Sequence, residues 1–270
     1  MTEPDNQFMN KLDPVAAGRK KEEAEYVMGL EKGLAIVEAF GLLRGVGTLT
    51  EIAAVTGHSK ASVRRCLLTL CKLGYASQHG RLFELAPRAL RLGHAYVASN
   101  GLTKVAQPIL EMTSERTHES ASVAVLDSES AVFVARSTHR RSLSSGLGVG
   151  ARLPAYCSAT GRVLLSERPK EEVRFLMSRI TRPALTPHTR TALRDVLQEI
   201  DRARQQGYAI CDEELEIGLR SIAVPIRTGR GELVAALSLS VATSRMSRGE
   251  VVEKLLPELE TARRAFAALL

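Results

Sequence analysis

Lys60, Arg64 and Arg65 follow Thr56-Gly57-His58-Ser59 within a few residues. Cations at that spacing on one helix can neutralise phosphates and hydrogen-bond guanine edges in a major groove. Val63, Cys66, Leu67 and Leu70 recur at helical spacing and form a stripe to bury. Lys60, Ser62, Arg64, Arg65 and Thr69 fall outside it, and Ser59 is placed to cap the helix. Between residues 58 and 91 the cations are Lys60, Arg64, Arg65, Lys72, Arg81, Arg88 and Arg91, against the single acid Glu84. A local basic surface fits phosphate contact better than a diffuse excess does. The competing reading is a solvated helix face.

A second set of residues suits an anion of another size. Ser158-Ala159-Thr160-Gly161 precedes or opens a helix, where free N–H groups and the helix dipole favour a carboxylate. Ser238 and Ser240 alternate on one strand, so both hydroxyls share a face. They face a ligand, or they satisfy neighbouring backbone groups. Cys157 stands near the same helix start and offers a nucleophile if its pKa is depressed. It would need a base, and His118, His139 and His188 lie in segments without a pairing motif. The alternative for Cys157 is packing. Asp212-Glu213-Glu214 reads as paired carboxylates or as an exposed strand end, and Arg140-Arg141 as a ligand clamp or a solvated turn.

These residues need elements to hold them. Residues 48–74 predict two short helices with Thr48 and Glu51 as a capping box and Gly57 in a tight turn. Ile52, Ala53 and Val55 are expected to face inward. Leu30, Leu34, Val37 and Phe40 mark a preceding amphipathic helix. Two strands around Gln78-His79-Gly80 add a hairpin, making a winged helix-turn-helix over 26–86 with Arg81 near DNA. Residues 1–25 read as a disordered tail, and 87–101 as a linker helix opened by Pro87. From 102 to 270 strands are expected at 121–126, 131–135, 143–147, 208–212, 220–227 and 233–242. Helices are expected at 102–117, 159–166, 170–177, 190–206 and 248–270. The fold class is α+β.

The 270 residues suffice for two domains. With 44% hydrophobic and 25% charged residues the chain reads as globular, and 4% aromatics without Trp leave its cores aliphatic. The net charge of +7 suits an anionic partner. No apolar run approaches a membrane span, and the first 25 residues lack a signal-peptide core. The four cysteines form no C-x-x-C pair, so a reduced, cytoplasmic protein without metal or cofactor is expected.

From about Tyr26 onward the chain resembles the IclR-type bacterial transcription regulators. The matching blocks are residues 29–40, the helix-turn-helix, 153–165 and 207–226. The resemblance implies an N-terminal winged helix, a linker helix and a GAF-like C-terminal effector domain. It also implies binding of a duplex DNA operator as homodimers or dimers of dimers. Residues 26–33, 64–70 and 154–157 are similar to the branch controlling degradation of 4-hydroxybenzoate, protocatechuate or β-ketoadipate.

Matched by position, the resemblance puts Ala159, Thr160, Cys211, Leu219, Ser221, Ser238 and Ser240 around a small carboxylic acid effector. Members binding very small keto acids can have Asp where this chain has Cys211, and Cys where it has Ser221. That difference argues against a glyoxylate-like ligand and is compatible with an aromatic acid. Two other classes compete with a ligand-responsive regulator: a cysteine-dependent enzyme, and an architectural DNA-binding protein with no ligand. The size of the second domain argues against the latter.

Overall fold

The computed structural model describes residues 26–138 and 147–270. The sequence readings for the tail 1–25, for His139 and Arg140-Arg141, and for most of the strand at 143–147 lie outside the described residues. The chain divides into two compact units between Leu92 and Gly93.

The first unit contains α1 (Met28–Leu42), β1 (Val46–Thr48), α2 (Leu49–Thr56), α3 (Lys60–Lys72), β2 (Ala76–His79) and β3 (Leu82–Leu85). Ile36, Phe40, Ile52, Ala53, Val63, Leu67 and Phe83 make its core. In α1 the buried positions are Ile36, Ala39 and Phe40, whereas Leu30 and Leu34 are exposed. Val55, expected inside, is also exposed. Eight residues make little more than two turns, so α2 buries only Ile52 and Ala53. The wing has three strands in the order β1-β3-β2, because Val46–Thr48 pairs with β3. A short 3₁₀ turn (Pro87–Ala89) leads to α4 (Leu90–Ser99).

The second unit holds α5 (Gly101–Thr117), β4 (Ser120–Asp127), β5 (Ser130–Ser137), β6 (Arg152–Pro154), α6 (Ala159–Ser166), α7 (Lys170–Arg179) and α8 (Leu193–Gln206). It continues with β7 (Ala209–Asp212), β8 (Leu219–Arg227), β9 (Leu233–Ala242), α9 (Arg248–Glu250), a π-helical turn (Val251–Leu255) and α10 (Leu256–Leu269). Its antiparallel sheet runs β6-β5-β4-β9-β8-β7. Strand alternation sorts the two faces. Ala121, Val123, Leu237, Leu239 and Val241 pack with residues of α5 and α10. Ala124, Ala236, Ala223 and Phe133 pack with Ala159, Val163 and Leu164 of α6. Helices thus cover both faces, and α6 lies over the face that carries the serines.

Candidate functional site

The helix-turn-helix is built by local hydrogen bonds. Thr48 Oγ1 accepts from the Glu51 N–H at 3.3 Å, and Glu51 Oε2 accepts from the Thr48 N–H at 2.8 Å. The Thr48 N–H and hydroxyl both donate to Glu51 Oε2, and those two bonds, the backbone one first, hold the Glu51 carboxyl below its ordinary range. Gly57 turns the chain at φ +68, where L side chains are strained. Ser59 Oγ then accepts from the Ser62 N–H and starts α3.

On α3 the buried positions are Val63 and Leu67, flanked by half-buried Cys66 and Leu70. At about 100° per residue, the line opposite this stripe carries Ala61, Arg65, Leu68 and Lys72. Lys60 and Arg64 lie on one flank and are exposed. Ser62 and Thr69 lie on the other, where with Arg65 they line an apolar groove of about 630 Å³ against α1. Thr69 also donates its hydroxyl to the Arg65 carbonyl within α3. Ser62 and Thr69 are therefore turned toward α1, while Leu68 and Lys72 occupy the outer line. Leu68 carried no polar signal, and Lys72 counted only as part of the basic cluster. Arg81 is exposed at the wing tip after Gly80 at φ +62.

In the second unit Ser158 caps α6, its Oγ accepting from the Gly161 N–H at 3.2 Å. A Cβ on Gly161 would stand 2.3 Å from Ala155 Cα, so only glycine lets α6 approach the preceding turn this closely. The N–H groups of Ala159 and Thr160 belong to the first helical turn, which has no acceptor within its own helix. Arg162 is fully buried in α6. Its Nη1 and Nη2 donate to Glu214 Oε1 and Oε2 at 2.6 and 2.7 Å, and its Nε donates to the Tyr156 carbonyl at 3.0 Å. Arg190 adds Nη1 and backbone N–H donors to the same carboxylate, at 2.9 and 3.0 Å.

A small cavity of about 20 Å³ lies beside the α6 opening. Six of the seven matched positions line it: Ala159, Thr160, Leu219, Ser221, Ser238 and Ser240. Cys211 does not, although it stands opposite Ser221 in the sheet. Phe133, Arg136, Leu147, Leu153, Ser158 and Leu215 complete the lining. Arg136 carries the chemistry among these additions. It sits opposite Ser122, which sits opposite Ser238, so the pairing brings a guanidinium to the serine face. It stacks over Phe133 at 5.3 Å from the ring centre. Its Nε donates to Thr138 Oγ1 at 3.3 Å, and burial pulls its pKa down. Spacing along β5 placed an arginine there but gave no sign of which face it took.

The remaining candidates separate. Burial pushes the Cys157 thiol up to about 11 and the Cys211 thiol up to about 12, opposite to an activated nucleophile. Cys157 donates its thiol to the Pro154 carbonyl at 3.9 Å. The carboxylates of 212–214 serve three different partners. Asp212 pairs with Arg220, Glu213 accepts from the Gly218 N–H, and Glu214 is the buried partner of Arg162. Glu214 is 1% exposed, which corrects the exposed-strand-end reading. Among the described residues no His/Cys/Asp/Glu group could hold a metal ion, and no helix is long and apolar enough to cross a membrane.

A winged helix-turn-helix in one unit and a cavity beside a buried helix opening and a guanidinium in the other define a ligand-responsive DNA-binding regulator. The chain belongs to the IclR family of bacterial transcription regulators: residues 29–80 match the IclR helix-turn-helix domain and 94–268 the bacterial transcriptional regulator IclR C-terminal domain. It is 40% identical to the Pca regulon regulatory protein of Pseudomonas putida, covering 90% of this chain and 84% of the relative. It is 38% identical to the p-hydroxybenzoate hydroxylase transcriptional activator of Acinetobacter baylyi, covering 87% and 89%. The inducer-binding domain of a double mutant of the PobR transcription factor from Acinetobacter, solved with 3-hydroxybenzoic acid, superposes with a TM-score of 0.59. It shares 33% identity over 62% of this chain and 98% of that one. These relatives are transcription regulators and not enzymes.

Proposed function

We propose that this protein controls genes of aromatic acid degradation and that an aromatic carboxylic acid, binding in the α6 cavity, changes its hold on an operator. The observation that carries the reading is the make-up of the cavity. A guanidinium and the opening of a helix supply positive potential, and Phe133, Leu147, Leu153, Leu215 and Leu219 supply apolar walls. An anion with an apolar body matches both. The names of the relatives, which include a hydroxybenzoate-linked activator and a hydroxybenzoic acid complex, support the same class.

The effector carboxylate sits against the Ala159 and Thr160 N–H groups with Arg136 beside it, and Ser221, Ser238 and Ser240 supply further hydrogen bonds. A cavity of about 20 Å³ holds roughly one water molecule, so an aromatic acid must bind an expanded state. Ligand binding then shifts the protein toward that state by its differential affinity, which is the coupling a regulator needs. Lys60, Arg64, Arg65 and Arg81 contact the duplex. The protein works as a homodimer on a two-fold operator, with exposed Leu92 and Tyr96, one turn apart on α4, near the contact.

Fluorescence anisotropy on an operator selected from genomic fragments tests this reading. Adding 4-hydroxybenzoate or protocatechuate should move the binding curve of the wild type. A Ser238→Ala plus Ser240→Ala variant should bind the operator and ignore the acid. A response to only a non-aromatic carboxylic acid would move the assignment to another effector within the family.

A further inference from the structure

The strand register extends the cavity's serine row by one residue that does not itself line the cavity. Ser120 stands opposite Ser240, Ser240 opposite Ser221, and Ser221 opposite Cys211. Alternation along β4 puts Ser120 and Ser122 on the same face as Ala124, which packs under α6, and not with Ala121 and Val123. Three hydroxyls therefore run in line across neighbouring strands, about 5 Å apart. Ser120 is 1% exposed, and its Oγ has no hydrogen-bond partner among the described residues. Thr160, 3% exposed and lining the cavity from α6, has its hydroxyl in the same condition. Buried hydroxyls in folded proteins find partners, so an unpaired one in the cavity lining and another paired in register with the lining residue Ser240 point to a polar occupant of an expanded cavity.

The rows differ in charge. Arg136, Ser122 and Ser238 form one row, and Ser120, Ser240 and Ser221 the next, about 7 Å along the strands. The first carries a cation. The second is neutral, since Cys211 at its end keeps its proton. A carboxylate belongs near the cation and the α6 opening. The neutral row suits a group that both donates and accepts, as serine hydroxyls do. The separation of the rows is on the scale of one para-substituted six-membered ring.

We propose that Ser120 is a ligand-reading residue: with Ser240 it holds the hydroxyl of a hydroxylated aromatic carboxylate whose acid group lies toward Arg136 and α6. This rests on the aromatic-acid reading of the cavity and adds the basis on which such acids are told apart.

The test is calorimetric titration of the full chain with 4-hydroxybenzoate and with benzoate, for wild type, Ser120→Ala and Ser120→Thr. Wild type should prefer the hydroxylated acid by roughly three- to tenfold, the effect of one hydrogen bond. Ser120→Ala should bring the two acids within about twofold by weakening 4-hydroxybenzoate alone, and Ser120→Thr, which keeps a hydroxyl, should retain the preference. Equal weakening of both acids by Ser120→Ala, or an unchanged preference, overturns the role of Ser120 and leaves the aromatic-acid reading standing. Binding of neither acid to the wild type overturns both.

Discussion

Arg162 and Glu214 form a two-bonded ion pair at 2.6 and 2.7 Å with both side chains essentially out of contact with solvent. Fifty-two residues of chain separate them. The pair ties the helix that opens on the cavity to the loop after β7, whose next residue, Leu215, lines that cavity. Removing one partner strands a buried charge, which costs about 3–5 kcal/mol. Glu214→Ala should therefore lower the melting temperature of the second unit sharply. Replacing both residues with apolar ones of similar size, Arg162→Met with Glu214→Leu, should be less damaging than the single change. Thermal melts followed by circular dichroism distinguish these outcomes. A double variant as unstable as the single one would show that packing, and not charge burial, holds this junction.

Arg65 stands on the outer line of α3 and Arg64 on its flank, and neither contributes to the buried stripe. Alanine at either should leave the stability within about 0.5 kcal/mol of wild type, as surface changes do. Operator affinity should fall by about 1–3 kcal/mol where a bidentate base contact is lost. Where only a phosphate contact is lost, the slope of log K against log salt should shrink by about one. Ser62→Ala and Thr69→Ala, on the flank facing α1, should have smaller effects. Anisotropy at several salt concentrations measures all four variants.

Glu119 precedes β4 and is buried, and burial raises its pKa from 4.5 to about 7. Arg245 Nη1 lies 2.8 Å from Oε1 and opposes that shift, yet the oxygen accepts no hydrogen bond of acceptable geometry. A carboxyl whose folded pKa is raised stabilises the fold below its unfolded pKa. That contribution is lost as pH climbs from about 4.5 through about 7. Glu119→Gln, which stays neutral, should therefore gain on wild type by about 1–3 kcal/mol between pH 5 and pH 8. Urea melts at the two pH values test it, and a gap that does not widen with pH would show that Arg245 already compensates the charge.

The legible parts of this fold were the ones set by neighbours in sequence. The capping box, the glycine turn at Gly57 and the bounds of β9 follow from local pattern. Misread features depend on distant partners. Leu30, Leu34 and Val55 follow a helical period yet are exposed or edge a groove, because Ile36, Phe40 and Ile52 fill the small core of this unit. Strand β1 has three residues and exists only through its pairing with β3. The serine face was readable because alternation is local. Arg136 and Ser120 reach that face only through the register of β4 with β5 and β9, which no single segment encodes.

The proposed function requires that an aromatic acid occupy the cavity of the second unit and be coupled to DNA binding. Calorimetric titration of the purified chain with 4-hydroxybenzoate, protocatechuate and β-ketoadipate, with and without bound operator duplex, tests it most directly. Saturable binding of at least one aromatic acid at one site per chain is expected, with a Kd that differs between the free and the operator-bound protein. The Ser238→Ala plus Ser240→Ala variant should lose that binding. No heat from any aromatic acid, or an affinity unchanged by the operator, would contradict it.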